Sequence, residues 1–334
     1  MKLIGRLKNK SIMITGGTGS FGKELVRYLL DKTEIKRIVI FSRDEQKQYD
    51  MSMGFSSDEA ARIRFFIGDV RDKDRLAMAM RDVAFVVHAA AMKIVPTAEY
   101  NPFECIQTNV NGAENVVSAA IQSGVERVVA LSTDKACNPI NLYGASKLAS
   151  DKIFVAANNL AGLNGPRFSV VRYGNVIGSR GSVLPFFKKL ITEGATELPV
   201  TDARMTRFWI TLEQGVEFVL SSLDIMRGGE VFVPKIPSMR VTDLAKVLAP
   251  DLPHKFVGIR PGEKLHEMMI SKDDARNTVE LEDRYIIEPE THWWDQERRG
   301  FADEGYSRVG EDFEYVSDQN EQWMEAKDLL PLLS

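Results

Sequence analysis

Short apolar, β-branched runs alternate with longer stretches of helical periodicity through the first half of the chain, the rhythm of βαβ units around a parallel sheet. Strands are predicted at SIMIT (11–15), RIVIFS (37–42), IRFFIG (63–68), FVVHAA (85–90), RVVALS (127–132) and FSVVRYG (168–174). The intervals read as helices over 20–31, 45–53, 73–80, 103–123 and 142–160. Six strands so spaced predict an α/β fold, a Rossmann-type doubly wound parallel sheet. After Asn175 the alternation breaks up. GSRGSVLPFF is rich in turn formers, EVFVP (230–234) makes one more strand, and GIRPGEKLHEMM reads as a loop entering a short helix. We therefore expect a nucleotide-binding domain over 1–175, with 205–228 returning to it, and a smaller C-terminal substrate-binding lobe from 176–204 and 229–334. The last stretch, from RRGF onward, is polar enough for a surface wrap or an interface element.

At 334 residues the chain can fill a large core and two lobes. Its 43 Lys+Arg against 47 Asp+Glu leave a formal charge of −4, so an anion site must be local, and nucleic acid is not an expected partner. The apolar run after the basic start MKLIGRLKNK reaches Gly16 too soon for a signal peptide and reads as a first strand. No stretch approaches 18 uninterrupted apolar residues, so no membrane span is expected, and the protein reads as cytoplasmic. Cys105 and Cys137 have no metal or redox spacing and are expected to be buried structural thiols in a reducing compartment. The four histidines, His88, His254, His266 and His292, show no HxxxH pairing, so no metal site is expected.

Candidate chemistry begins directly after the first strand. TGGTGSFG sets Gly16, Gly19 and Gly22 at GxxGxxG spacing before an amphipathic helix. Residues without Cβ permit the sharp turn and the close approach of a pyrophosphate, which the free N–H groups of the helix start can bind. The second strand ends in FSRDE. A plain ribose calls for a carboxylate at that tip and a 2′-phosphate for a cation, so Ser42, Arg43 and Lys47 favour NADP. The other assignment has Arg43 on the surface and Asp44 on the ribose. Asp69, at the end of the third strand, is a candidate acceptor for the adenine amino group. HAAA (88–91) offers small residues for a flat cofactor, with His88 read as a satisfied strand histidine.

Tyr143 and Lys147, at i and i+4, share one helix face after the fifth strand. An ammonium near a phenol favours the phenolate, which can then take a proton from a sugar hydroxyl, and Thr133 can hydrogen-bond the same hydroxyl. LSTDKACNPINLYGASK (131–147) adds Asp134 and Lys135, an acid and a base side by side. They are either a second catalytic pair or a solvated loop pair.

On TGGTGSFG, FSRDE, FIGDVRD, LSTDKACNPINLYGASK, VVRYGNVIGSRGSV, MTRFWIT, PKIPSM and IRPGEKLHEMMI, the chain resembles the extended short-chain dehydrogenase/reductase superfamily. It most resembles the inverting UDP-N-acetylglucosamine 4,6-dehydratases of the pseudaminic acid pathway type. The resemblance implies oxidation at C4, loss of water across C5 and C6, and return of hydride to C6 with inversion at C5, all with NADP. It makes Lys135 the base at C5 and Asp134 the acid at the 6-hydroxyl. A neutral Lys135 would be needed, so its pKa is expected to be lowered by burial and nearby cations. Retaining relatives carry Asp-Glu at these two positions.

The implied cofactor set adds Thr18, Ser20, Phe21, Val70, Ala89, Lys93 and Ser132. Arg207 and Arg260 are placed on the diphosphate of UDP-N-acetylglucosamine, although either can equally be a surface arginine. Asn175, Ser182, Val183, Thr201 and Glu263 resemble substrate contacts, and Lys93 reaches the sugar or the nicotinamide ribose. A homo-oligomer, dimer or hexamer, is expected through 103–123 and 142–160. The rival readings are a UDP-sugar 4-epimerase or a retaining dehydratase, and an NADP-binding regulator or scaffold without turnover.

Overall fold

The computed structural model describes residues 3–179, 181–291 and 299–330. Arg180 of the turn-rich stretch, His292, Arg298 at the start of the polar tail and the last four residues of that tail lie outside the described residues.

The six predicted strands form as Ser11–Thr15 (β1), Arg37–Ser42 (β2), Ile63–Ile67 (β3), Phe85–His88 (β4), Arg127–Thr133 (β5) and Arg167–Tyr173 (β6). They run in parallel in the order β3-β2-β1-β4-β5-β6, which places the topological switch point between β1 and β4. Helices cover both faces, which is why the strands are continuous apolar runs: Ile12, Met13, Ile14, Val86, Val87, Val128 and Val129 are all fully buried. β4 stops at His88, two residues short of FVVHAA. There the Ala89 N–H makes its last ladder bond to Thr15 O at 3.2 Å, and the Ala89 and Ala90 N–H groups also reach Thr15 Oγ1 at 3.2 and 3.3 Å.

The sheet takes in more chain than the boundary at 229 allows. Val231–Pro234 runs parallel to β6, and Arg284–Ile287, Thr278–Glu280 and Ser307–Arg308 extend that edge in antiparallel fashion, making ten strands. These additions have two to four residues each, too few to show a period. Helix Leu212–Ile225 packs against Ser20–Lys32, β5 and β6. The smaller lobe keeps its own cores, one around Phe187, Leu198, Val200 and Met205 and one around Trp209, Met239 and Leu244.

The long helix expected over 103–123 is three pieces, Pro102–Ile106, a π segment Gln107–Asn111, and Gly112–Ser123. The π segment turns Asn109 inward. Its amide donates to Met92 O at 2.9 Å and to Ser146 Oγ at 2.9 Å, and its carbonyl accepts from Met92 N at 2.8 Å, tying the loop after β4 to helix Leu142–Ala161. Single π turns of this kind recur at functional sites. LHEMM forms strand Met268–Ile270, paired with Tyr315–Val316, where a short helix was expected. The tail is therefore a structural strap across the lobe as well as polar surface.

Candidate active site

The glycine triplet forms a cradle that side chains would fill. Gly16 sits at φ +66°, and a Cβ there would lie 2.9 Å from Ala90 N; a Cβ on Gly22 would lie 2.5 Å from the Gly17 backbone. Gly19 is the N-cap of helix Ser20–Lys32, so the start of that helix, with Ser20 and Phe21, opens at the tip of β1 beside buried Thr18. Ala89 lies next to Ala90, against the same turn. His88 is buried, its Nδ1 2.8 Å from Thr15 Oγ1, while its Nε2 has no partner. Burial, reinforced by the Lys147 charge, lowers its pKa to about 3, so the ring is neutral.

At the tips of β2 and β3 the charges are arranged differently from expectation. Asp44 caps helix Glu45–Ser52 through Lys47 N at 2.9 Å and holds Lys47 Nζ at 2.5 Å. Ser42 Oγ accepts from Gln48 Nε2 at 3.0 Å. Asp69, the candidate acceptor for adenine, accepts from Arg71 through its N, Nε and Nη2 at 3.0, 3.0 and 2.8 Å, and lies 3.5 Å from Arg43 Nη1. Arg71 drew no notice in the sequence. Arg43 keeps 59% of its side chain exposed. Val70 is buried against Gly112, the first residue of helix Gly112–Ser123.

At the end of β5, Thr133, Asp134 and Lys135 lead into helix Leu142–Ala161, which carries Tyr143 and Lys147 inward. Thr133 Oγ1 donates to Asp134 Oδ1 at 2.9 Å and faces the Tyr143 phenol. Lys135 Nζ donates to the same Asp134 Oδ1 at 3.0 Å, and Asp134 Oδ2 is buried without a partner. A second carboxylate that sequence reasoning missed, Glu267, places Oε1 3.1 Å from Lys135 Nζ and is 1% exposed. The solvated-loop reading of the pair therefore fails.

Two expectations about charge are corrected here. Burial disfavours the Lys135 ammonium, but Asp134 and Glu267 outweigh both burial and Arg207, and the pKa of Lys135 is raised, not lowered. Burial likewise pushes the Tyr143 phenol up to about 12, and the cation that eases it most is Lys135. Lys147 is drawn toward Asp151, while burial lowers its own pKa. Asp151 accepts from Ser132 Oγ at 2.8 Å and from Arg172 Nη2 at 3.4 Å, forming a buried charged network beneath the site.

Arg207 is also corrected. Its guanidinium is buried and donates to the carbonyls of Thr206, Leu265 and Lys264 at 2.7, 3.1 and 3.0 Å, with Nε 3.6 Å from Glu267 Oε1. It belongs to the Lys135 cluster, and the structure does not leave it open for a diphosphate. Arg260 remains exposed, 3.9 Å from Glu263, whose Oε2 is buried without a partner. Ser182 caps helix Val183–Thr192 from a position where its hydroxyl has no partner. Asn175 lies on strand Asn175–Val176, and Thr201 O accepts from Gly258 N at 3.1 Å. Lys93 is exposed on the loop after β4. Cys105 and Cys137 are free, buried thiols. Among the described residues, no three His, Cys, Asp or Glu side chains gather as a metal would require, and no helix is long and apolar enough to cross a membrane.

Strand order, glycine cradle and the buried Thr133–Tyr143–Lys147 group define an enzyme of the extended short-chain dehydrogenase/reductase class. The profile of the family described as polysaccharide biosynthesis protein matches residues 12–289. With 60% identity over 97% of both chains to the UDP-N-acetylglucosamine 4,6-dehydratase (inverting) of Campylobacter jejuni (serotype O:23/36, strain 81-176), the chain belongs to that dehydratase's family. It is 44% identical, over 84% of its length and 83% of the relative's, to a UDP-glucose 4-epimerase of Rickettsia canadensis. The X-ray structure of Pen from Bacillus thuringiensis superposes with a TM-score of 0.88 at 35% identity, covering 98% of both chains.

Proposed function

We propose that this protein is an NADP-dependent hydro-lyase that converts UDP-N-acetylglucosamine to UDP-2-acetamido-2,6-dideoxy-L-arabino-hexos-4-ulose. The observation that carries the reading is the buried Lys135–Asp134 contact, 3.0 Å long, beside Tyr143 and Thr133. A 4-epimerase oxidises C4 but never removes the C5 proton, so it has no use for a second acid and base buried next to the first group.

The cradle of Gly16, Gly19 and Gly22 fits a dinucleotide, since a Cβ at Gly16 or Gly22 would close it. The exposed Arg43 supports a 2′-phosphate, and the engagement of Asp44 as a helix cap argues against its holding a plain ribose. Bound there, the nicotinamide supplies a hydride acceptor for C4 and a hydride donor for C6.

Tyr143 removes the proton of the C4 hydroxyl, with Thr133 orienting that hydroxyl. The resulting C4 carbonyl makes the C5 hydrogen acidic. Lys135 then hands its ammonium proton to Asp134 across their hydrogen bond, which creates the neutral amine and the carboxylic acid in one transfer. The raised pKa of Lys135 in the ligand-free protein describes the resting pair before that transfer. The amine takes the C5 proton and Asp134 protonates the departing 6-hydroxyl. Lys147 and Lys93 serve the nicotinamide ribose, and Arg260, Glu263, Asn175, Ser182, Val183 and Thr201 hold the nucleotide sugar.

Two buried free thiols support a cytoplasmic, reducing setting. Tyr100 and Phe103, 87% and 83% exposed on short helices beside Leu142–Ala161, support a homo-oligomer.

Purified protein incubated with UDP-N-acetylglucosamine in D2O tests the reading by NMR. The expected product is a 4-keto-6-deoxy sugar with deuterium at C5 and coupling constants of the L-arabino configuration. A galacto product without label indicates an epimerase, retained C5 configuration a retaining dehydratase, and no turnover a scaffold.

A further inference from the structure

Three separate elements meet at Glu267. The short 3₁₀ turn Asp134–Ala136 brings Lys135, strand Thr206–Ile210 brings Arg207, and the residue just before strand Met268–Ile270 is Glu267 itself. Lys135 Nζ and Arg207 Nε approach the same oxygen, Glu267 Oε1, at 3.1 and 3.6 Å, while Oε2 is buried without a hydrogen-bond partner among the described residues. The backbone of Glu267 is fixed on both sides by Ser317. Glu267 N donates to Ser317 Oγ at 2.9 Å, and Ser317 N donates to Glu267 O at 2.8 Å. Ser317 Oγ in turn lies 2.7 Å from Thr206 Oγ1, which reaches His266 Nδ1 at 2.8 Å. A carboxylate this deeply buried is costly to hold unless its charge is used.

We infer that Glu267 is a positioning residue for the elimination step: it holds one N–H of Lys135 so that the amine's lone pair points away from it, and it steers the departing ammonium proton to Asp134. This rests on the dehydratase reading above. An ammonium has three N–H donors; one is hydrogen-bonded to Asp134, and Glu267 pairs with the same ammonium as a counter-charge at 3.1 Å. After one proton passes to Asp134, the neutral amine still donates to Glu267, which fixes its orientation. Arg207 supplies a counter-charge to Oε1, and among the described residues no arginine pairs with Asp134, which leaves Asp134 as the acceptor of the proton. The elimination then balances. The C5–H bond breaks and its proton joins Lys135 Nζ; the C5=C6 double bond forms; the C6–O bond breaks and its oxygen leaves as water with the proton from Asp134. The ammonium and the carboxylate are thereby restored.

The test compares the unsubstituted enzyme with Glu267→Gln and Glu267→Asp, using UDP-N-acetylglucosamine with hydrogen or deuterium at C5. In Glu267→Gln, the first-turnover rise of reduced-nicotinamide absorbance, which reports C4 oxidation, should stay within about twofold of the parent. C5 proton removal should slow on the order of 10²-fold, the loss typical of a misaligned reacting group. The C5 isotope effect on kcat should rise, and the pH midpoint for elimination should move down, because one of the two carboxylates facing Lys135 is gone. The other groups facing it, Asp134, Arg207 and Tyr143, are unchanged. Glu267→Asp should recover part of the elimination rate. Equal losses in oxidation and elimination, or an unchanged isotope effect and pH midpoint, would overturn the inference. Should Glu267→Gln fail to fold, Glu267→Asp, which withdraws the carboxylate from Lys135, is read by the same criteria against the parent. If the unsubstituted enzyme makes no keto product, it is the dehydratase reading that fails; if it does and the variant behaves like it, only the role of Glu267 falls.

Discussion

The ammonium of Lys135 lies one hydrogen bond, 3.0 Å, from the carboxylate of Asp134, so the base and the acid proposed for the elimination are already paired in the resting protein. Asp134→Asn keeps the shape of that contact but cannot carry a proton. We expect kcat for dehydration to fall by roughly 10² to 10⁴ with little change in KM. A 6-deoxy-6-fluoro substrate, whose fluoride leaves without a proton, should recover only the part of the loss that belongs to the acid role, because Lys135 still lacks an acceptor for its own proton. Recovery to the parent's rate would remove from Asp134 the role of taking the Lys135 proton.

Tyr143→Phe should abolish the step before. Its hydroxyl is the group proposed to take the proton of the C4 alcohol, and its removal should lower C4 oxidation by roughly 10² to 10⁴. Burial holds this phenol up to about 12 in the ligand-free protein, so single-turnover oxidation should speed up as pH rises toward that value until ligands lower it. Stopped-flow absorbance in the Phe variant should show neither the rate nor this pH dependence.

Gly22→Ala introduces a Cβ at 2.5 Å from the Gly17 backbone, a contact that can be relieved only by moving the cradle or the helix. We expect a loss of about 1–3 kcal/mol in stability, read by denaturant titration, and weaker dinucleotide binding by calorimetry. Unchanged values for both would contradict the tight packing of this turn.

Arg43→Ala should separate the two cofactors. If the exposed guanidinium meets a 2′-phosphate, its loss removes a charged hydrogen bond worth about 1.5–3 kcal/mol. NADP affinity should then drop at least about tenfold while NAD affinity stays the same. Equal effects on both would return Arg43 to the surface.

His88 makes an acid-side prediction. In the unfolded chain its ring binds a proton near its ordinary value of 6.5, whereas the buried ring resists protonation down to about 3. Between these values the unfolded state binds more protons, so stability is full above about pH 6.5 and falls as the pH drops, by up to ~1.4 kcal/mol per unit. His88→Asn should flatten that slope in urea titrations over the same range; an unchanged slope would assign it to other groups.

Much of this was legible because the relevant residues are close in the chain. The glycine cradle is a strand, a turn and a helix in series, and Asp134, Lys135, Tyr143 and Lys147 lie within one β–turn–helix unit. Asp151 was within reach too, since Tyr143, Lys147 and Asp151 follow one another at four-residue steps on the same helix. Glu267 was not. It sits in a quoted motif, but it lies more than a hundred residues from Lys135 in sequence, and no local period reveals their meeting. For the same reason the direction of the Lys135 shift was misjudged: burial is readable from a motif, whereas two carboxylates arriving from different elements are not. Arg207 looked like a free cation because sequence does not show backbone carbonyls closing around a side chain.

The central claim is that Lys135 takes the C5 proton, and Lys135→Met tests it most directly. Folded, cofactor-loaded Lys135→Met should still oxidise C4 of UDP-N-acetylglucosamine in a first turnover, yet place no deuterium at C5 in D2O and release no 6-deoxy-4-keto sugar. Formation of that sugar by the methionine variant at the parent's rate would contradict the account.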